Sequence, residues 1–169
     1  MKNIDYTQIL APMAQKLADG GVFLTVNGEK PNTMTIGWAS AGVYWGKPVC
    51  VVLVRPQRHT CALLEEAEEF TVSIPTANPL AAELKFAGTQ SGRDYDKFHG
   101  HGLTAVPGQK VNAPIVGECG LHFECRTLLT QDMTPDRMAV EILYGSYSAR
   151  DLHTLFFGEI LHCYTTDED

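Results

Sequence analysis

The sequence predicts a mainly β fold, a closed antiparallel barrel with a few added helices, and three observations carry that expectation. About seven stretches read as strands while few read as helices. Strands and helices do not alternate regularly, which argues against a doubly wound sheet. A set of strands this numerous removes its exposed edges by closing on itself. Nothing repeats at a fixed period and no shift of composition marks a boundary. The 169 residues are therefore expected to form one domain, 1–169, with 1–20 as a helical extension.

Residues 4–18, "IDYTQILAPMAQKLA", set Tyr6, Leu10, Met13 and Leu17 at helical spacing. Pro12 starts or kinks that helix and Gly20-Gly21 stops it. "VFLTVN", the turn "GEKPN" and "TMTIGWASAGVYW" form a hairpin whose second arm is broken by small residues. "KPVCVVLVRP" is apolar on both faces and reads as a covered central strand. Thr60 is expected to cap a short helix over "CALLEEAEE", and "EFTVSIP" is the next strand. Asn78-Pro79 opens another helix, "LAAELKFA". The segment "GTQSGRDYDKFHGHGLTAVPGQKVN" is a long ordered loop of the kind that carries function. "CGLHFECRTLL", "RMAVEILYGSYSAR" and "TLFFGEILHCYT" complete the strands before an acidic tail.

Composition narrows the function. A formal charge of -7 repels a phosphate backbone, and no basic stripe offsets it, so nucleic acid is not an expected partner. No apolar run approaches membrane-spanning length and the N-terminus lacks a signal-like core, so no membrane is expected and the address is cytoplasmic. Five widely spaced cysteines are expected to be reduced thiols. Cys119 and Cys125 would share one strand face with His122 on the other, a poor start for tetrahedral coordination, so no metal site is expected. "GTQSGR" fails the dinucleotide pattern, and no nucleophile elbow supports a hydrolase.

Against this acidic background "VRPQRHT", 54–60, gathers Arg55, Arg58 and His59 at the end of a buried strand, followed by Thr60. Arg58 suits charge-assisted, bidentate contact to an anion, and the following helix offers free N–H groups. Arg55 either joins that site or braces the loop.

Together with "NTMTIGW", "WGKPV", "EFTVSIP", "GTQSGRDYDKF" and "ECGLHFEC", in this order, the stretch resembles the flavin reductase-like family of FMN-binding split barrels, which includes flavoredoxin. The resemblance spans about residues 20–165. It implies a six-stranded Greek-key split barrel, a homodimer and one FMN per subunit near the dimer interface. It places Arg58, His59 and Thr60 at the FMN phosphate, and Asn32, Met34, Thr35 and Trp38 along the ribityl chain and ring. It adds Ser91 and Lys97 from the long loop, with Phe98 as a ring plug or a loop anchor, and His122 and Phe157 as further members of the flavin environment. "ARDLHTLFFGEI" resembles the family's Gly-Asp-His motif near the nicotinamide. His153 is retained as the catalytic candidate, but Asp151 and Leu152 replace the glycine and aspartate.

The implied activity is an FMN-dependent oxidoreductase: an NAD(P)H:flavin reductase drawing on NADH or NADPH and passing electrons to a flavin, another acceptor or a redox protein. The alternatives are an electron-transfer flavoprotein resembling flavoredoxin, reduced by a protein donor, and a non-catalytic flavin or haem binder with His122 or His153 as axial ligand.

Overall fold

The computed structural model describes residues 1–167, so the end of the acidic tail lies outside the described residues. One antiparallel sheet dominates. Its elements are β2 (Val22–Val26), β3 (Asn32–Ile36), β4 (Ala39–Tyr44), β5 (Lys47–Val54), β6 (Glu69–Ile74), β9 (Leu121–Asp132) and β10 (Thr154–Thr165), paired in the order β3-β2-β6-β9-β10-β5-β4. A short β1 (Lys2–Asn3) adds to β10, and β7 (Ala105–Val106) within the long loop pairs with β8 (Ile115–Val116) just after it.

The two outer strands of this path, β3 and β4, are consecutive in sequence and joined only by Gly37-Trp38. A sheet whose opposite edges are two residues apart must curl until those edges meet. Counting β3 and β4 as one strand interrupted at Gly37-Trp38 gives the six-stranded split barrel, and the interruption is the split. The hairpin expected from "TMTIGWASAGVYW" therefore divides: its first part pairs with β2 and its second with β5.

The barrel interior is filled by alternate residues of these strands, including Val22, Leu24, Val26, Val52, Phe70, Val72, Phe123 and Phe156, closed at one end by Ile9 and Met13 of α1 (Thr7–Ala18). Pro12 lies within α1, so the helix continues through it. Strand β2 is buried on both faces because Phe23 enters a second cluster with Leu80, Leu84, Ala87, Leu103 and Val116, beneath α3 (Ala81–Thr89). Phe98 packs on that cluster, anchoring the long loop. Further along, the N–H groups of Gln109, Lys110 and Val111 donate to the buried Glu124 carboxylate at 2.6–3.1 Å, and the Tyr164 hydroxyl donates at 2.8 Å. That staple fixes the loop to the barrel wall without a cation.

Three local expectations are corrected. "RMAVEILYGSYSAR" contains no strand; it holds α4 (Val140–Ser146), in which Val140, Ile142 and Tyr144 are exposed. Their alternation mimics a strand, but these residues enter no ladder. Thr60 does not cap α2 (His59–Ala67): Arg58 holds that position in an extended conformation, and the Thr60 hydroxyl accepts from Asn32 Nδ2 at 2.8 Å. Asn78 Oδ1 accepts from the Leu80 N–H, so α3 begins at Ala81, later than Asn78-Pro79 suggested. Among the described residues no helix is long and apolar enough to cross a membrane.

Candidate functional site

The split opens a groove with two connected parts. The first is a slot of about 270 Å³ lined by Met34, Thr35, Trp38, Leu53, Arg58 and His153 among others. The second is a nest of about 250 Å³ at the start of α2, lined by Arg58, His59, Thr60, Ser91, Gly92 and Lys97 among others. Met34 and Arg58 line both, so the two adjoin across these side chains.

The nest is strongly positive. Arg58 is half-buried, and its Nη2 donates to Gly88 O at 2.6 Å; burial and then the neighbouring Arg55 lower its pKa. Lys97 is buried, and its Nζ donates to Ala87 O at 2.8 Å. Burial, then Arg58, pull the Lys97 ammonium down to about 8. Burial, Arg93 and Lys97 likewise depress His59. Among the described residues neither Arg58 nor Lys97 has a carboxylate partner. The first-turn N–H groups of α2 add partial positive charge at the same place. Buried cations are ordinarily paired, so this arrangement is electrostatically incomplete without an anion.

Beside the nest, Asn32 is buried and its Oδ1 has no hydrogen-bond partner although its Nδ2 is engaged by Thr60. Gly92 allows this: a Cβ there would stand 2.0 Å from Asn32 Oδ1. Ser91 shapes the loop, its Oγ accepting from the Arg93 N–H.

At the slot end the indole of Trp38 lies 4.9 Å from the His153 imidazole, centroid to centroid. Trp38 is 42% exposed, so it is a wall of the groove and not a core aromatic. The Thr35 hydroxyl donates to Leu84 O at 2.6 Å, which commits it to α3 and leaves its backbone for the slot. His153 is buried, and burial followed by Arg55 lowers it to about 4, so the imidazole is neutral near pH 7. Arg55 braces the loop: it is ion-paired with Asp151 and donates to the carbonyls of Asp151 and Ser146.

Two expected residues lie elsewhere. His122 contacts Ser73 Oγ through Nδ1 and Cys119 O through Nε2, which leaves neither nitrogen for a ligand or a haem iron. Phe157 packs against Tyr44 and Trp45 on the outer surface. Sequence reasoning missed Tyr147, whose hydroxyl meets His153 Nδ1 at 2.7 Å, and Gly88, whose carbonyl orients Arg58. Gly88 carries no local signal because its contact is distant in sequence, and Tyr147, six residues from His153, sits in irregular chain where no period shows which way it faces.

The family model described as flavin reductase like domain matches residues 14–169. The chain belongs to the flavin reductase-like family. It is 36% identical over 141 residues to an uncharacterised protein of Archaeoglobus fulgidus, covering 83% of this chain and 69% of that one. Among solved structures, flavoredoxin of Desulfovibrio vulgaris superposes with a TM-score of 0.67 at 29% identity, covering 87% of this chain and 70% of its own. An NADH:FAD oxidoreductase of Streptomyces globisporus shares the fold with a TM-score of 0.65 at 20% identity over 89% and 81% of the two chains. This family member thus carries the split-barrel fold with an unpaired cation nest beside an aromatic slot.

Proposed function

We propose that the groove binds FMN, its phosphate in the nest and its ring in the slot, and that the protein is an FMN-dependent oxidoreductase driven by NADH or NADPH. The observation that carries this reading is the pair Arg58 and Lys97, which line one nest at the start of α2 in an acidic protein without a counter-ion among the described residues. A phosphate monoester with roughly two negative charges supplies the missing partner. Asn32 Oδ1 is an acceptor waiting for a donor, which a ribityl hydroxyl or ring N–H provides.

When bound, FMN supplies the two-electron chemistry, accepting hydride from reduced nicotinamide and passing electrons to a second flavin, another small acceptor or a redox protein. The chain's own residues hold and screen. Arg58, Lys97 and the α2 N–H groups neutralise the phosphate. Trp38, Met34 and Leu53 exclude water from the ring, and His153 offers a neutral polar edge.

The second reading is electron transfer from a protein donor, as in a flavoredoxin. It is favoured by the 29% identity to that protein and by Leu152 in place of the motif's aspartate. Anaerobic addition of NADH, then NADPH, to the FMN complex separates the two. Bleaching of the flavin band within seconds supports the reductase; a yellow protein indifferent to both supports the electron carrier.

The reading includes a homodimer. Its support is an aromatic group on the β4–β5 hairpin and β10, in which Tyr44 and Trp45 are exposed and pack against the half-buried Phe157.

A further inference from the structure

We propose that Tyr147 is a positioning residue that holds His153 as a neutral imidazole with its proton on Nε2, making that edge a hydrogen-bond donor at the ring end of the groove. The inference rests on the reading that the groove takes a flavin.

The Tyr147 hydroxyl lies 2.7 Å from His153 Nδ1 and 3.4 Å from Met133 Sδ, and it has one proton to give. An imidazole nitrogen is a strong acceptor and a thioether a weak one. Donation to Nδ1 forms the stronger bond, and the ring's own proton must then sit on Nε2. In the opposite tautomer Nδ1–H would donate to the phenol oxygen and the phenol proton would turn to sulfur, replacing a good donor on a strong acceptor by a weaker acceptor in each bond. Both residues are buried, so water does not compete at this contact.

Burial first, and the neighbouring charges after it, keep His153 neutral. The Arg55 guanidinium lies 5.4 Å over the Tyr147 ring and is held there by Asp151 and two carbonyls. Its charge opposes a second proton on His153, while Asp151 acts in the opposite sense and is largely spent on Arg55. Asp132 accepts from the Thr154 hydroxyl at 2.6 Å. Trp38 closes the remaining side with its ring edge-on to Tyr147 at 6.0 Å.

Tyr147 lines a larger cavity of about 820 Å³ behind the slot, and His153 is the residue common to both spaces. With Nδ1 turned toward Tyr147, Nε2 diverges from it and has no partner among the described residues. The N–H there suits a carbonyl oxygen of the bound ring or of the nicotinamide carboxamide. It stabilises developing negative charge without releasing a proton.

The test is nitrogen-15 NMR of histidine-labelled protein, with and without FMN, between about pH 5.5 and 8. Wild-type His153 is expected to give the neutral Nε2–H pattern throughout. In Tyr147→Phe that pattern is expected to give way to a tautomer mixture. FMN affinity should hold within about threefold, while nicotinamide-driven reduction slows about tenfold with a displaced pH profile. An Nδ1–H pattern in the wild type overturns the proposal, and so does Tyr147→Phe with an unchanged spectrum and rate. Should the variant fail to fold, the wild-type spectrum decides. Should FMN not bind at all, the flavin reading falls while the FMN-free spectrum still judges the tautomer.

Discussion

In the proposed phosphate site Arg58 and Thr60 would act on the same anion by different means, and their variants separate them. Arg58→Ala removes a charge-assisted contact and is expected to weaken FMN binding on the order of 10- to 100-fold by fluorescence titration. Thr60→Ala should cost less, about threefold to tenfold, because it removes a hydroxyl and leaves Asn32 Nδ2 without its partner. Lys97 gives the site a pH dependence. Its free ammonium titrates at about 8, so FMN affinity should be level between about pH 7 and 8, where the phosphate is a dianion, and fall above 8 as the lysine charge is lost. The Lys97 contribution to the stability of the FMN-free protein should move the other way. Between about 8 and 10.5 the unfolded chain binds the Lys97 proton that the folded chain has released, so this contribution rises with pH, while the buried thiols Cys61 and Cys163, whose pKa values burial raises, act in the opposite sense. Lys97→Met should abolish the affinity slope, and the difference between wild-type and Lys97→Met thermal melts across that range should carry the Lys97 stability slope. Cations gathered at a strand end in an acidic chain were legible from residue types alone. That Lys97 joins them from about 40 residues away was legible only through the family resemblance. The Tyr147 contact was not legible, because nothing in "YGSYSAR" distinguishes a site tyrosine from a surface one.

Secondary elements were read well where the hydrophobic period had one interpretation. Strands β5, β6 and β10 and helix α1 stand close to where their patterns put them. The failures share a cause. Val140, Ile142 and Tyr144 alternate like a strand, yet α4 is short and exposed, so local periodicity had no burial behind it. The break between β3 and β4 was visible as Gly37-Trp38, but its meaning is topological and needs the pairing of distant strands. Strand β10 also carries a constraint that sequence reading passes over. Gly158 sits at a register shift opposite β9, and a Cβ there would stand 2.4 Å from Phe70 Cζ and 2.8 Å from Cys125 Cβ. Gly158→Ala is therefore expected to destabilise the barrel by about 1–3 kcal/mol, read as a lowered midpoint in denaturant melts with little change in the flavin site. An unchanged midpoint would mean that the Phe70 ring yields freely.

At the scale of the molecule, a closed antiparallel barrel was legible because many short strands without alternating helices leave closure as the way to remove edges, whereas the split was legible only through the family resemblance. The site follows from that closure: the two sheet ends meet at Gly37-Trp38, and α2 and the long loop bring their cations to the seam. One exposed feature points outward. Trp45, 62% exposed, adopts a positive φ of 52° in the two-residue turn between β4 and β5, a conformation bulky residues rarely take. If the hairpin docks on a second copy, Trp45→Asp should convert a dimer to a monomer in sedimentation velocity, and a monomeric wild type would remove the homodimer from the account. The central claim is that the uncompensated cations hold a flavin phosphate. The most direct measurement is the affinity for FMN against riboflavin, which carries the same ring and ribityl chain without the phosphate. The account predicts FMN binding at least about 100-fold tighter, with the difference shrinking in Arg58→Ala; equal affinities for the two would contradict it.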